Sequence, residues 1–312
     1  MHRETRSGPW LVAAGAALWG TESAWRIPLN EVLRVDAIVF WEHVLLVLCF
    51  LPAIAGRLHE LRRVGRRALG YLIFSGLAGS AVGTVFFTLA LKHGNATVVN
   101  VVLAIQPVLS TTAAVLLFHD RLAPRFFVWA PIAVVAGGFL SVQHPGAILS
   151  SFQDAGLDEG TGYALVCAVF WGLATTAGRG VMLEMSLPLA SGLRFVVGLV
   201  GMLVILAVRG ELNATALWPP IGRSQVGSTA LELVLLATLS GGLPLLLYFQ
   251  GLKHTRASTA GYFETFQTLS AVVITWGVFG ERLLPHQVAA ALVLVGAVAM
   301  VQRVQERTQR GA

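Results

Sequence analysis

Ten long apolar runs, separated by short polar segments, follow one another along the chain. A run of about 20 apolar residues is long enough for a helix to cross the hydrocarbon core of a bilayer. Charged residues are rare inside the runs and frequent between them, as expected for helices that face lipid. The runs predict transmembrane helices at roughly 9–28, 37–56, 69–91, 95–118, 125–142, 161–182, 188–208, 230–251, 256–279 and 286–302.

The second half of the chain repeats the first. Leu91-Lys92-His93 recurs 161 positions later as Leu252-Lys253-His254. Upstream, an offset of 152 superposes Trp19-Gly20 on Trp171-Gly172. The two offsets differ by 9 (161 − 152), so the second copy has one longer loop and otherwise the same plan. Two similar apolar halves are typical of a duplicated membrane transporter.

Five helices per copy is an odd number, so the second copy must enter the membrane with the opposite orientation. We predict a first five-helix repeat over residues 9–142, an external linker at 143–160, a second repeat over 161–302 and a cytoplasmic tail at 303–312. The expected fold is therefore an all-α polytopic membrane protein, with ten transmembrane helices in two inverted five-helix repeats around a central cavity.

Positive charges decide the predicted orientation. With the N-terminus inside, the inner segments hold 14 Lys and Arg residues and the outer loops hold five. Cytoplasmic loops of membrane proteins carry this excess of positive charge. Both termini are therefore predicted in the cytoplasm, in a multi-pass protein of the plasma or inner membrane.

Composition excludes a soluble domain. Hydrophobic residues make up 55% of the chain and charged residues 12%, whereas about a quarter of the residues in a soluble domain are charged. The net charge of +6 could indicate nucleic-acid binding, but the basic residues lie mainly in the inner loops, as the topology requires. We expect contact with membrane lipid and no nucleic-acid partner.

The repeated segment contains a specific set of motifs. Gly280-Glu281-Arg282-Leu283 follows the fourth helix of the second copy, and His119-Asp120-Arg121-Leu122 follows that of the first. A proline comes two residues after each, and each copy has Trp-Gly in its first helix. This order resembles the EamA-type repeat of the drug/metabolite transporter superfamily over nearly the whole chain. The resemblance implies a ten-helix inverted-repeat transporter, commonly an exporter of amino acids, metabolites or drugs.

The chain departs from the family pattern in the fourth helix of each repeat. Where the family often has Glu-Pro, this sequence has Gln106-Pro107 and Gln267-Thr268. Glu264 lies one turn earlier in the second copy. A coupling role of the family glutamate therefore does not transfer to Gln106 or Gln267, although both are kept as candidates for the solute or ion pathway.

Ionisable side chains inside the predicted spans are the main candidates for a functional site, because a charge in lipid is costly. At about 1.5 Å per helical residue, three are placed in the outer half of the membrane and three in the inner half. The outer set is Glu22, Arg26 and Glu42, and the inner set is Arg179, Arg194 and Glu264.

Simpler structural roles compete with these assignments. Glu22 and Arg26 are four residues apart and can neutralise one another. Arg26 and Arg179 lie near enough to span ends to extend towards the interface. Glu42, Arg194 and Glu264 are deeper, so we expect them to face the cavity, with Arg194 and Glu264 as a pair. His43 is expected to point elsewhere than Glu42 and to be packed.

The third and eighth spans carry a second signature of a transport site. Gly76, Gly79, Ser80 and Gly83 superpose on a region that contains Ser240, Gly241, Gly242 and Pro244. Spans interrupted by Gly or Pro at matching places in two halves indicate a transporter site, although close helix packing explains small residues equally well. Trp19, Trp171 and Tyr262 are aromatic candidates for the same pathway.

These patterns predict a secondary active transporter that exports a small organic solute by alternating access. The sequence has no nucleotide-binding loop, haem motif or metal-ligand cluster, so no cofactor is expected. Protons are a candidate coupling ion, through Glu22 or Glu42. The alternatives are an exchanger of the nucleotide-sugar type and a non-transporting scaffold or receptor. An enzyme is not expected, and the sequence leaves monomer or homodimer open.

Overall fold

The computed structural model describes residues 7–94, 96–141, 159–279 and 284–310, and these residues form helices with no β-strand. The first half contains eight α-helices within the described ranges. They are α1 (Gly8–Trp19), α2 (Glu22–Val32), α3 (Val35–Ala55), α4 (Arg66–Phe74), α5 (Gly83–His93), α6 (Ala96–Leu103), α7 (Gln106–Phe118) and α8 (Phe126–Ser141). A π-helical segment, Ser75–Val82, joins α4 to α5, and a short 3₁₀ helix, Leu58–Arg63, precedes α4.

The described part of the second half also contains eight α-helices. Its α-helices are α9 (Glu159–Met182), α10 (Leu187–Val208), α11 (Ala214–Leu217), α12 (Arg223–Leu235), α13 (Leu243–Leu252), α14 (Ala257–Phe263), α15 (Phe266–Phe279) and α16 (Pro285–Arg310). A second π-helical segment, Leu236–Gly242, joins α12 to α13.

Six helical stretches in the described ranges are long and apolar enough to cross a membrane. They are Val35–Ala55, Arg66–His93, Glu159–Met182, Leu187–Val208, Ser224–Leu252 and Pro285–Gln305. Gln106–Phe118 and Phe126–Phe139 are shorter apolar helices. Large apolar side chains such as Leu116, Val208 and Leu292 are exposed on the outside of the bundle. The chain therefore has the fold of an all-helical polytopic membrane protein.

Three predicted spans are interrupted rather than continuous. The breaks fall at Gly20-Thr21, at Ala104-Ile105 and at Glu264-Thr265. Thr21 Oγ1 donates to the carbonyl of Leu18 at 2.7 Å, and Thr265 Oγ1 donates to that of Tyr262 at 2.6 Å. Such side-chain bonds compete with the helical ladder. At the other break Pro107 follows, and proline has no N–H to donate to a helical carbonyl.

Several predicted boundaries also move. The helix predicted at 230–251 begins earlier, at Arg223, which is the first residue of α12. The last helix was predicted to end at 302, with a polar tail after it, but α16 continues to Arg310. Of the predicted linker 143–160, residues 143–158 lie outside the described ranges, and α9 begins at Glu159.

Helices from the two halves pack against one another throughout the bundle. The most extensive contacts join α8 to α16, α1 to α13, α3 to α10 and α5 to α9. Further contacts join α7 to both α9 and α14, and α1 to α15. Each half therefore lacks a separate core, and the space between the halves is enclosed by both.

The glycine of each Trp-Gly pair permits one of these close approaches. A Cβ placed on Gly172 in α9 would lie 2.8 Å from Leu109 Cβ and 3.2 Å from the carbonyl oxygen of Gln106. A Cβ on Gly20 would lie 2.5 Å from the carbonyl oxygen of Gln267. The start of the helix after each break, α7 or α15, thus rests against a glycine of the other half.

Gly172→Ala is therefore expected to destabilise the protein by about 1–3 kcal/mol, since overpacking forces the neighbouring helix to shift. Gly162→Ala is the matched control on the same helix, because a Cβ there meets nothing within 4 Å. The control should be neutral or slightly stabilising, as alanine favours helix. The measurement is the temperature at which the monodisperse peak of the detergent-purified protein in size-exclusion chromatography falls to half of its height. Equal midpoints for the two variants would contradict the close packing at Gly172.

Candidate functional site

A cavity of about 90 Å³ lies between the two halves of the chain and is partly open to solvent. Eight of the sequence-predicted candidates line it: Trp19, Glu22, Glu42, Gln106, Trp171, Arg194, Glu264 and Gln267. Both π-helical segments also reach the cavity, through Gly79 and Ser80 in the first and Ser240 and Gly241 in the second. The cavity is therefore a site that neither half forms alone.

One wall carries an ionic network that we call the Arg26 cluster, formed by Glu22, Arg26, Glu42 and Thr88. Arg26 Nη2 lies 2.5 Å from Glu22 Oε1 and 2.6 Å from Glu42 Oε2. Arg26 Nη1 donates to Thr88 Oγ1 at 3.1 Å. The guanidinium is fully buried behind the two carboxylates, and it does not extend to an interface. Two carboxylates thus share one cation at the edge of the cavity.

The local sequence explains this geometry. Glu22 lies in the first turn of α2, and Arg26 follows one turn later on the same face. Glu42 is in the middle of α3, and Thr88 comes from α5. Three separate helices are held together by one arginine, so its loss would leave two buried acids without a partner.

Arg194 enters the cavity from α10 with a different set of contacts. Its Nη1 donates to Ser75 Oγ at 2.9 Å, and its guanidinium lies over the ring of Phe249 at 5.6 Å from the centroid. Such a cation–π contact compensates only part of the hydration that a half-buried cation loses. Its Nε is buried without a hydrogen-bond partner.

The predicted ion pair between Arg194 and Glu264 is wrong. Glu264 Oε1 instead accepts hydrogen bonds from Tyr248 Oη at 2.7 Å and from Thr175 Oγ1 at 2.8 Å. The ion pairs within 4 Å that the described residues form do not include either side chain. Because hydroxyl donors from α13 and α9 hold the carboxylate on its own wall, the two opposite charges line the same cavity without meeting.

The first π-helical segment places three of the cavity side chains. The wider turn of a π-helix alters the backbone hydrogen bonds, and such segments are frequent at functional sites. The carbonyl of Gly79 accepts a bond from Trp171 Nε1 at 2.9 Å. Ser75 binds Arg194, and Ser80 Oγ lies 2.9 Å from His43 Nε2. In the second segment, Ser240 Oγ lies 2.6 Å from Thr21 Oγ1.

His43 is packed, as predicted, but it does not point elsewhere than Glu42. Both side chains line the cavity. His43 Nδ1 lies 2.7 Å from the carbonyl oxygen of Val39. A carbonyl can only accept, so Nδ1 carries the proton, and Nε2 accepts from Ser80 when the ring is neutral. Both ring nitrogens are thereby used in holding the wall together.

Two predicted candidates lie away from the cavity wall. Arg179 Nη1 donates to the backbone carbonyls of Leu252 at 3.0 Å and Lys253 at 2.6 Å, and so binds the C-terminal end of α13. Cations are favourable at helix C-termini. Tyr262 is buried and packs edge-on against Phe126 at a centroid distance of 5.4 Å. Arg179 and Tyr262 therefore have structural positions, whereas eight candidates line the cavity and Arg26 lies directly behind two of them.

Sequence reasoning missed Tyr248 and Thr175, the two donors to Glu264. Under the repeat offset of 161, Tyr248 superposes on Phe87. The two rings have equivalent neighbours, since Trp19 packs against Tyr248 with ring centroids 4.8 Å apart and Trp171 packs against Phe87 with centroids 5.0 Å apart. The sequence signal that could have identified Tyr248 was its hydroxyl, which the equivalent Phe87 of the first copy lacks. The described residues contain no group of three His, Cys, Asp or Glu side chains that could hold a metal ion.

Comparisons with known proteins agree with this architecture. The sequence profile of the EamA-like transporter family matches residues 6–142 and 159–303. The riboflavin transporter ImpX of Fusobacterium nucleatum subsp. nucleatum is 26% identical over 308 residues, which cover 95% of this chain and 97% of that protein. A crystal structure of a protein with 18% sequence identity superposes with a TM-score of 0.69 over 96% of this chain and 99% of that one. At that identity the likeness shows the fold alone.

The profile covers both halves of the chain and omits only the termini and the segment between the halves. That extent, together with the all-helical fold, assigns the family: the chain belongs to the EamA-like transporter family.

Proposed function

We propose that this protein is a secondary active transporter that exports a small organic solute by alternating access. The observation that carries the proposal is the cavity between the halves, where ionisable groups and two tryptophans meet. Ionisable residues inside a membrane bundle mark solute and ion pathways. The solute passes through unchanged, and its movement is driven by an ion gradient rather than by a bound nucleotide.

The proposed topology is ten membrane spans in two inverted repeats, residues 9–142 and 161–302, with both termini in the cytoplasm. Three features support it. The two π-helical segments begin 161 positions apart, at Ser75 and Leu236. The Trp-Gly glycines contact equivalent helix starts, and the ring contacts of the two tryptophans are equivalent as well. The excess of positive charge on one side of the proposed membrane supports the orientation.

The solute is proposed to be an organic compound with an aromatic or apolar body. Trp19 and Trp171 offer rings on the cavity wall, and aromatic rings bind flat apolar surfaces well. The relative ImpX is a riboflavin transporter. Flavins therefore join amino acids, purines and organic cations in the set of solutes to be tested.

Single cysteines should test the topology, in a background that lacks Cys49 and Cys167. Thr215→Cys is expected to react from outside the cell with an impermeant maleimide, and Arg66→Cys only after the membrane is opened. Both positions are exposed in the structure, so burial does not limit the reaction. Reaction of Arg66→Cys in intact cells would reverse the orientation, and equal reaction at both sites would contradict five spans per repeat.

Proteoliposomes should show uptake of at least one labelled solute from the set above, and protein-free liposomes should not. Binding without flux across the whole set would favour a scaffold or receptor instead of a carrier.

Proton coupling is proposed to use the Arg26 cluster, since two carboxylates share one buried cation. Glu22→Gln or Glu42→Gln is expected to reduce flux driven by a pH gradient by about tenfold or more, while solute exchange without a gradient continues. Glu31→Gln, on the exposed face of α2, is the matched control and should behave as wild type. If both cluster variants keep the wild-type pH dependence, the cluster is structural, and Glu264 is the next acid to test.

A further inference from the structure

Arg194 is a cation in the cavity that the protein neutralises incompletely. Its described partners are one hydroxyl, Ser75 Oγ, and the face of Phe249. Its Nε is buried and has no acceptor. A guanidinium has five N–H donors in a planar fork that suits a pair of oxygen acceptors. Nothing in the described part of the chain provides that pair within ion-pair distance.

Gln106 presents a second unused donor to the same cavity. It is the first residue of α7, directly after the helix break, and the residue is 6% exposed. Its Nε2 is buried and has no hydrogen-bond partner in the protein. Buried polar groups are nearly always hydrogen-bonded, so an unused one in a cavity wall indicates a ligand or ordered water.

The carboxylates of the cavity, in contrast, all have hydrogen-bond donors within the protein. Glu22 and Glu42 both accept from Arg26, and Glu264 accepts from two hydroxyls. The protein therefore supplies donors to each cavity carboxylate and leaves N–H donors of Arg194 and Gln106 unmet. What the cavity lacks is a group with oxygen acceptors.

We infer that Arg194, together with Gln106, binds a pair of oxygen acceptors on the solute. The pair is either the two oxygens of a carboxylate, both on the guanidinium fork, or the two carbonyls of an imide ring, one on Arg194 and the other on Gln106. Trp19 and Trp171 then contact the apolar or aromatic body of the same molecule. The inference rests on the proposed transport function and deepens it, because it names the chemical group that is recognised and the residue that recognises it.

Gly79 is the positioning residue for this arginine. A Cβ on Gly79 would lie 2.9 Å from Arg194 Nη2 and 2.5 Å from Ala174 Cβ. The same glycine accepts the indole N–H of Trp171 through its carbonyl. Gly79→Ala should therefore displace the guanidinium without removing any of its donors, so it tests the position of Arg194 separately from its charge.

Isothermal titration of the purified full-length protein in detergent tests the inference with three probes. Riboflavin carries an imide ring, indole-3-acetate carries a carboxylate, and tryptamine has an aromatic ring without an oxygen acceptor. Wild type is expected to bind at least one of the first two more tightly than tryptamine. Tighter binding of riboflavin would identify an imide as the acceptor pair, and tighter binding of indole-3-acetate would identify a carboxylate.

Arg194→Gln is expected to weaken binding of the acceptor probe by about tenfold or more, because a charge-assisted contact is lost, bidentate with a carboxylate and single with an imide carbonyl. Arg194→Lys keeps the charge and loses the fork. It should restore part of the affinity for a carboxylate and little of that for an imide. Gln106→Leu should weaken the same probe to a smaller extent.

Arg179→Gln is the matched control, since this second intramembrane arginine binds backbone carbonyls away from the cavity wall. It can reduce stability, but the affinity for the acceptor probe should stay at the wild-type value. If Arg194→Gln does not fold, Gly79→Ala and Gln106→Leu carry the test instead. Both should weaken binding of the acceptor probe, Gln106→Leu to the smaller extent.

Three results would overturn the inference. The first is an unchanged affinity for the acceptor probe in a folded Arg194→Gln protein or, where that variant does not fold, in both Gly79→Ala and Gln106→Leu. The second is that the wild-type protein binds neither acceptor probe at millimolar concentration. The third is that the wild-type protein binds tryptamine more tightly than both acceptor probes. The two proposals fail separately. Arg194-dependent binding without flux in proteoliposomes would contradict transport alone, whereas flux that is unaffected in the Arg194 variants would contradict the acceptor site alone.

Discussion

Buried charge that must be satisfied without bulk water is the constraint on which this structure depends. An arginine that loses its partner in a low-dielectric interior costs several kcal/mol. Arg26 meets the constraint with two carboxylates and a threonine, and Arg179 meets it with backbone carbonyls. Arg194 meets it only in part. The same contacts hold the helices that supply these partners in place around the cavity. The ionic groups therefore stabilise the packing of the cavity walls in addition to lining the proposed solute site.

The two copies of the repeated sequence carry unlike side chains at equivalent positions. Both halves have a π-helical segment, a Trp-Gly pair and an interrupted helix, and these features meet across the cavity in equivalent pairs. At the same positions the side chains differ: Glu42 superposes on Arg194, and Phe87 on Tyr248. The repeat thus sets the geometry of the cavity, and the divergence between the copies gives it an acidic cluster on one wall and an arginine on another.

Helices α3 and α10 pack antiparallel to each other and join the two halves along the full length of both helices. Polar contacts lie at both ends of this pair, Asp36 with Arg209 at 2.7 Å and Glu60 with Ser186 Oγ at 2.9 Å. The Asp36 carboxylate is buried but Arg209 is half-exposed, which screens this pair, and across this interface Glu60 meets a neutral hydroxyl. Each contact is therefore modest, and apolar packing dominates the stability of the interface. Contacts of this strength can break and form again while the helices stay paired, which suits a protein whose proposed cycle opens the cavity to each side in turn.

Sequence alone determined the membrane class, the family resemblance and most of the cavity residues, because hydropathy, a repeat offset and the cost of buried charge are all properties of residue type and order. It did not determine the partners. Glu264 and Arg194 were expected to pair from depth and opposite charge, but hydroxyls of Tyr248 and Thr175 hold the carboxylate instead. Arg179 and Tyr262 lie away from the cavity for a similar reason. Distance along a helix gives depth, whereas the direction of a side chain and its nearest donor depend on how separate helices pack, and only the tertiary structure decides that.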